Sequence, residues 1–265
     1  MSSCPWSRRR ARGPRRARGA QRSTRPAGAT AGDRSEDRGR LFRVMNASAP
    51  DEARADPATR PRLRGRLHQI AFWASLCGLA LLVHVARSPE ALIAAWVYGG
   101  ATVALYLVSF SYHVVARGPR ARRLMQRADH SMIFVLIACS FTPVVLLALH
   151  GPWRWGLLAT VWVIALAGIL LKVCALERFP RLGGGLYIAL GWAGLLAAPA
   201  FLRQPVLGGL FLAGGVLYTV GAALFAAGRP RLSPRWFGYH EAWHAFVVAA
   251  GSLMFAGNFL LVRGA

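Results

Sequence analysis

The pattern of apolar and polar positions divides the chain near residue 66. Beyond that point, long apolar runs alternate with short polar connections. A helix crossing a bilayer core needs about 20 predominantly apolar residues. Seven runs meet that requirement: 67–86, 91–115, 129–149, 154–176, 184–201, 206–227 and 239–262. The fifth is the shortest. Pro143 and Pro199 fall inside runs, where membrane helices tolerate proline better than soluble ones do. The expected fold class is all-α, a seven-transmembrane helix bundle. The expected domains are an Arg-rich tail over 1–65 and a membrane domain over 66–265.

The connections predict orientation. Arg60, Arg62, Arg64 and Arg66 precede the first run, and Arg117, Arg120, Arg122, Arg123 and Arg127 lie between the second and third. Arg178 and Arg181 lie between the fourth and fifth, and Arg229, Arg231 and Arg235 between the sixth and seventh. The alternate connections hold only Arg87, Arg154 and Arg203, with Arg263 near the carboxyl end. Basic loops stay in the cytoplasm. The amino end is therefore expected inside and the carboxyl end outside, which requires an odd number of spans. The expected location is the cell membrane, with the lipid bilayer as the first partner.

Composition agrees. The chain is 55% hydrophobic and only 16% charged, with the charge concentrated before residue 66, which excludes an ordinary soluble globule. The net charge of +23 suggests nucleic acid, but thirteen Arg between Arg8 and Arg43, against Asp33, Glu36 and Asp37, account for much of it. That stretch is rich in Gly, Pro, Ala and Ser, too poor in apolar surface to offset its ordering entropy, and disorder is expected. It would touch anionic lipid or RNA without specificity, so no specific nucleic-acid partner is expected. It has no apolar core of a secretory signal. Met45 stands as a second candidate start. Cys4, Cys77, Cys139 and Cys174 form no CxxC pair, and the last three sit in apolar runs as packed or lipid-facing thiols.

Ionisable groups at membrane depth are costly and mark function. After residue 60 the only acids are Glu90, Asp129, Glu177 and Glu241. At the start of the seventh run, GYHEAWH (238–244) places His240 and His244 one helical turn apart on one face, a chelating arrangement. The string also fits HExxH, the zinc-protease pattern, but five residues alone are a weak signal. SFSYH (109–113) ends the second run, with Ser109 one turn before His113, and Asp129-His130 is read as the start of the third. The topology brings His113, Asp129, His240 and His244 to one depth at the cytoplasmic face. Three neutral imidazoles plus a water is a common catalytic zinc composition. Asp129 would hold that water, ligate directly or orient a ligand. Iron, nickel and copper also accept imidazole.

The remaining polar groups receive bland assignments. His68, His84 and His150 are read as structural groups at helix ends without partners. His130 points about 100° from Asp129 on the helix and is set aside as a ligand. Glu241 points away from the His face and caps the seventh helix at its amino end, where negative charge is favoured. Glu90 has the same role on the second helix, and Glu177 is expected to pair with a loop Arg.

The chain resembles a bacterial hemolysin III–type protein, within the superfamily of progestin and adiponectin receptors. The resemblance runs from about residue 66 to the end. It rests on SFSYH at 109–113, RADHSMIF at 127–134, FTP at 141–143, GGGLY at 183–187 and GYHEAWHAFV at 238–247, in this order. It implies a seven-helix fold with an intramembrane zinc near the cytoplasmic face, held by His113, His240 and His244. It implies that Asp129 holds the zinc-bound water, and it matches Ser109 to the family's serine on the second helix. Two features depart from the pattern. Cys139-Ser140 stands where small residues such as Ala-Gly are usual, and the Arg tail is foreign to the family.

Three functions follow as expectations. One is a zinc-dependent hydrolase of a lipid amide or ester, with Asp129 as base and Ser109 as a donor to the oxyanion. The second is a receptor or lipid-sensing protein in which zinc is structural. The third is a pore-forming haemolysin, as the family's name suggests, although no run carries a continuous polar stripe to line a pore. The substrate or ligand and the oligomer are left open.

Overall fold

The computed structural model describes residues 61–175, 180–230, 232–233 and 235–265, with 175, 180 and 181 described by backbone alone. The expectations for the Arg tail as far as residue 60, Cys4, Met45, Glu177 and Arg178 fall outside the described residues.

Among the described residues, eight α-helices follow in chain order: α1 Arg66–Val85, α2 Pro89–Phe110, α3 Pro119–Leu147, α4 Trp153–Ala175, α5 Pro180–Trp192, α6 Ala198–Leu202, α7 Pro205–Ala226 and α8 Tyr239–Gly264. They supply seven spans long and apolar enough to cross a membrane. The protein is a seven-transmembrane, all-α bundle. The fifth span, Leu182–Leu202, joins α5 to α6 through a 3₁₀ turn at Ala193–Ala197. Pro199 lies in the first turn of α6, where its missing N–H does no harm, and the tighter turn before it accommodates the break. Among the described residues the only β feature is an isolated bridge between Ser233 and Phe237.

The helix starts are written locally. Proline occupies the first turn of α2, α3 and α7, where its fixed φ suits the helix. Ser88 caps α2 by accepting the Ala91 N–H at 3.2 Å, with Glu90 in the same turn. One sequence expectation is corrected here. The stretch Arg120–Arg127, read as a loop, is helical, so Asp129 lies in the third turn of α3 rather than at its start. Arg, Ala, Leu, Met and Gln are good helix formers, so the helix continues beyond its apolar part.

α1 packs on α2 and α8, α2 on α3, α3 on both α4 and α8, and α7 on α8. Small residues line these seams, among them Ala94, Ala95, Ala138, Ala165 and Ala250, all buried. Membrane helices approach closely at such positions. At Gly251 a Cβ would come within 2.7 Å of the Tyr106 hydroxyl, so α8 meets α2 there without room for a side chain. The outward faces expose Ile70, Trp73, Trp96, Val163, Leu170 and Val206, as contact with lipid requires.

The residues just before α1 join the bundle. Arg62 N donates to Arg235 O at 3.0 Å and Leu63 N to Trp236 O at 3.3 Å, while the Arg62 guanidinium lies 4.8 Å over the Trp236 ring. This strap pins the start of α1 to the start of α8.

Candidate metal centre

Alternating spans bring the starts of α1 and α8, the end of α2 and the third turn of α3 to one end of the bundle. α2 does not finish as an ordinary helix. Ser111–Val115 forms a π turn, closed by Ala116 N donating to Ser111 O at 2.8 Å. Such wide turns recur at functional sites. This one carries His113.

Gly65, at the head of α1, holds φ at +78°, and a Cβ there would come within 2.6 Å of His113 Cβ. Only glycine satisfies both demands without strain. Its lack of a side chain lets the strap lie against His113.

α8 begins with Gly238, whose N–H donates to Glu241 Oε2 at 2.7 Å. The same carboxylate takes Arg64 Nε at 2.6 Å through Oε1, and its side chain is fully buried. Glu241 therefore caps α8, as expected, and also ties the strap to it. Both of its oxygens are engaged, so the HExxH match has no free base behind it.

The i, i+4 pair His240 and His244 is buried, with ring centroids 4.6 Å apart. His113 faces them, its centroid 4.7 Å from His240 and 4.9 Å from His244. Nε2 of His240 stands 3.2 Å from Nε2 of His113. One ligand nitrogen from each of the three rings lies within 4.8 Å of the others, and the group could hold a metal ion. Around a tetrahedral ion with nitrogen bonds of 2.0–2.1 Å, neighbouring nitrogens sit ~3.3 Å apart, close to the His113–His240 separation. The donor set fits a transition metal that accepts imidazole.

Asp129 Oδ2 lies 3.9 Å from His113 Nε2, beyond direct hydrogen bonding and at a separation that a single water can bridge. The structure brings His113, His240 and His244 into one group, with Asp129 beside His113. His130 belongs elsewhere. Its carbonyl accepts the Tyr187 hydroxyl at 2.7 Å, and its ring is outside the three-His group. His84 and His150 are exposed at helix ends.

His68 is the residue that sequence reasoning missed. Its place at a helix end suggests a group without partners, but it is 3% exposed and stacks on His244, with centroids 3.8 Å apart and planes 9° apart. Its Nδ1 meets Ser109 Oγ at 2.8 Å. The signal was available. His68 stands at the head of the first span, the same end as the other histidines, but it lacks a partner within a helical turn. Ser109, buried as well, is thus engaged with His68.

A family model described as haemolysin-III related matches residues 57–255. The protein named Hemolysin-3 of Bacillus cereus is 34% identical over 181 residues, covering 67% of this chain and 80% of that protein. The Hemolysin-3 homolog of Bacillus subtilis (strain 168) is 30% identical over 193 residues, 71% of this chain and 87% of that one. The human Monocyte to macrophage differentiation factor is 25% identical over 219 residues, 81% of this chain and 90% of that one.

Proposed function

The chain belongs to the haemolysin-III related family, and on that premise we propose that it is a zinc-dependent membrane hydrolase cleaving a lipid amide or ester. The observation that carries this reading is the buried set His113, His240 and His244 with the Asp129 carboxylate 3.9 Å from one of its ring nitrogens. These three histidines would hold the metal. Zinc, when bound, supplies Lewis acidity to a carbonyl and to an attacking water.

The rest is work for the protein. Asp129 Oδ2 takes a proton from the attacking water and returns it to the departing amine or alcohol as the acyl C–N or C–O bond breaks. Burial of His240 and His244 keeps bulk water from the ligand nitrogens, which strengthens electrostatic interactions there. The apolar outer faces of the spans suit a substrate that arrives from the bilayer with its acyl chain in lipid. With basic loops inside, the site lies at the cytoplasmic face of the cell membrane.

The test uses purified, zinc-loaded protein in lipid nanodiscs with a panel of N-acyl amides and acyl esters, measuring released fatty acid. Wild type releases it. Asp129→Asn keeps its zinc and loses about 100-fold or more of the rate, the usual contribution of a general base. Equal turnover by Asp129→Asn contradicts the mechanism.

A second reading has its own support. The three histidines join segments distant in sequence, the π turn after α2 and the start of α8, as a structural metal in a receptor or lipid sensor would. In that case His240→Ala lowers thermal stability more than any activity.

A further inference from the structure

The described residues contain two buried side-chain atoms without a hydrogen-bond partner, His68 Nε2 and Asn258 Oδ1. Asn258 sits near the far end of α8, and its amide nitrogen donates to Met254 O at 2.9 Å. His68 is at the metal centre. Its ring lies parallel to His244, so the in-plane nitrogen directions of the two rings run side by side rather than converge. That geometry keeps His68 out of the donor set, in agreement with the three-residue ligand group.

Ser109 decides which His68 nitrogen carries the hydrogen. Helical Ser and Thr hydroxyls commonly donate to the carbonyl four residues back. Ser131, Ser140 and Ser252 do so here, at 2.7, 2.7 and 2.9 Å. Ser109 has no such bond among the described residues, where its side-chain hydrogen bond is with His68 Nδ1 at 2.8 Å. If Nδ1 donated, the Ser109 hydrogen and Nε2 would both lack a partner. If the hydroxyl donates, only Nε2–H does. The second arrangement leaves fewer buried groups unsatisfied. His68 is then an Nδ1 acceptor and an Nε2–H donor.

We propose that His68 is a ligand-contacting residue of this centre, its Nε2–H donating to a carbonyl or carboxylate oxygen of a lipid acyl group, with Ser109 fixing the tautomer. This rests on the metal-hydrolase reading. It gives Ser109 an indirect role, as a positioning residue acting through His68 rather than as a direct donor to the substrate. An acyl oxygen satisfies the buried donor, whereas an apolar group in the same place leaves it unpaired.

The test is a binding measurement on full-length protein in nanodiscs, loaded with cobalt(II) and followed by its visible absorption. The probes are octanoate, which carries oxygen acceptors, and imidazole, which carries none. His68→Phe keeps an aromatic ring against His244 and removes the N–H. The expected result is unchanged cobalt content, octanoate affinity weakened roughly tenfold or more, and imidazole affinity unchanged. Equal octanoate affinity in wild type and His68→Phe, with cobalt retained in both, overturns the assignment and leaves the metal site standing. Absence of cobalt from folded wild type overturns both. If His68→Phe alone loses cobalt, Ser109→Ala, which leaves every imidazole in place, decides. Weakened octanoate with cobalt kept supports the proposal, and unchanged octanoate overturns it.

Discussion

The backbone of Gly65 lies against His113 so closely that a Cβ at 65 would stand 2.6 Å from His113 Cβ and 3.0 Å from Val114 Cγ2. The strap before α1 and the π turn at the end of α2 therefore fix each other. Gly65→Ala meets two penalties. The left-handed backbone alone costs about 1–2 kcal/mol for a residue with a Cβ, and the contact must displace either His113 or the strap. Thermal unfolding should show the loss of stability, and metal analysis a loss of occupancy. A Gly65→Ala protein with wild-type values for both would remove the strap from the account of the site.

The Arg64–Glu241 pair gives a second test. The Glu241 side chain is fully buried and bonded to both Arg64 Nε and Gly238 N–H. Removing this buried carboxylate breaks both bonds at once, and breaking a buried pair from one side is costly. Arg64 keeps some exposure, with 13% of its side chain accessible, so the lower end of the usual range applies. Glu241→Ala should destabilise the protein by about 3 kcal/mol, and Glu241→Gln, which retains the cap, by roughly half of that. Both variants should still bind metal when folded. Loss of metal from a stable Glu241→Gln protein would instead make this residue part of the centre.

Sequence position alone does not make a histidine part of the site. His84 and His150 are exposed and outside the ligand group. Alanine at either position should leave metal content unchanged and stability within about 0.5 kcal/mol. The same substitution at His68 should not be neutral, because it removes a ring stacked on His244. Equal behaviour of all three variants would undo the distinction drawn between them.

These contrasts trace what the sequence made legible. The seven spans were readable because the bilayer imposes one length on every apolar run. His240 and His244 were readable because i, i+4 spacing is a local signal, and His113 because the alternation of spans sets its depth. His68 was not, since what gives it meaning, Ser109 and His244, is reached only through tertiary packing. The start of α3 is not legible from the apolar pattern, because charge ends only a helix's passage through lipid and not the helix itself. The capping role of Glu241 was readable from its place in the first turn. Its bond to Arg64, 177 residues away, was not.

The most direct test is the metal content of detergent-purified protein, by elemental analysis, beside a His240→Ala/His244→Ala double variant. The expected result is about one transition-metal ion per chain, as a single three-histidine site requires, lost in the double variant. No bound metal in well-folded wild-type protein would contradict it. The three imidazoles would then be packing groups at the end of the bundle, and the hydrolase reading would fall with the site.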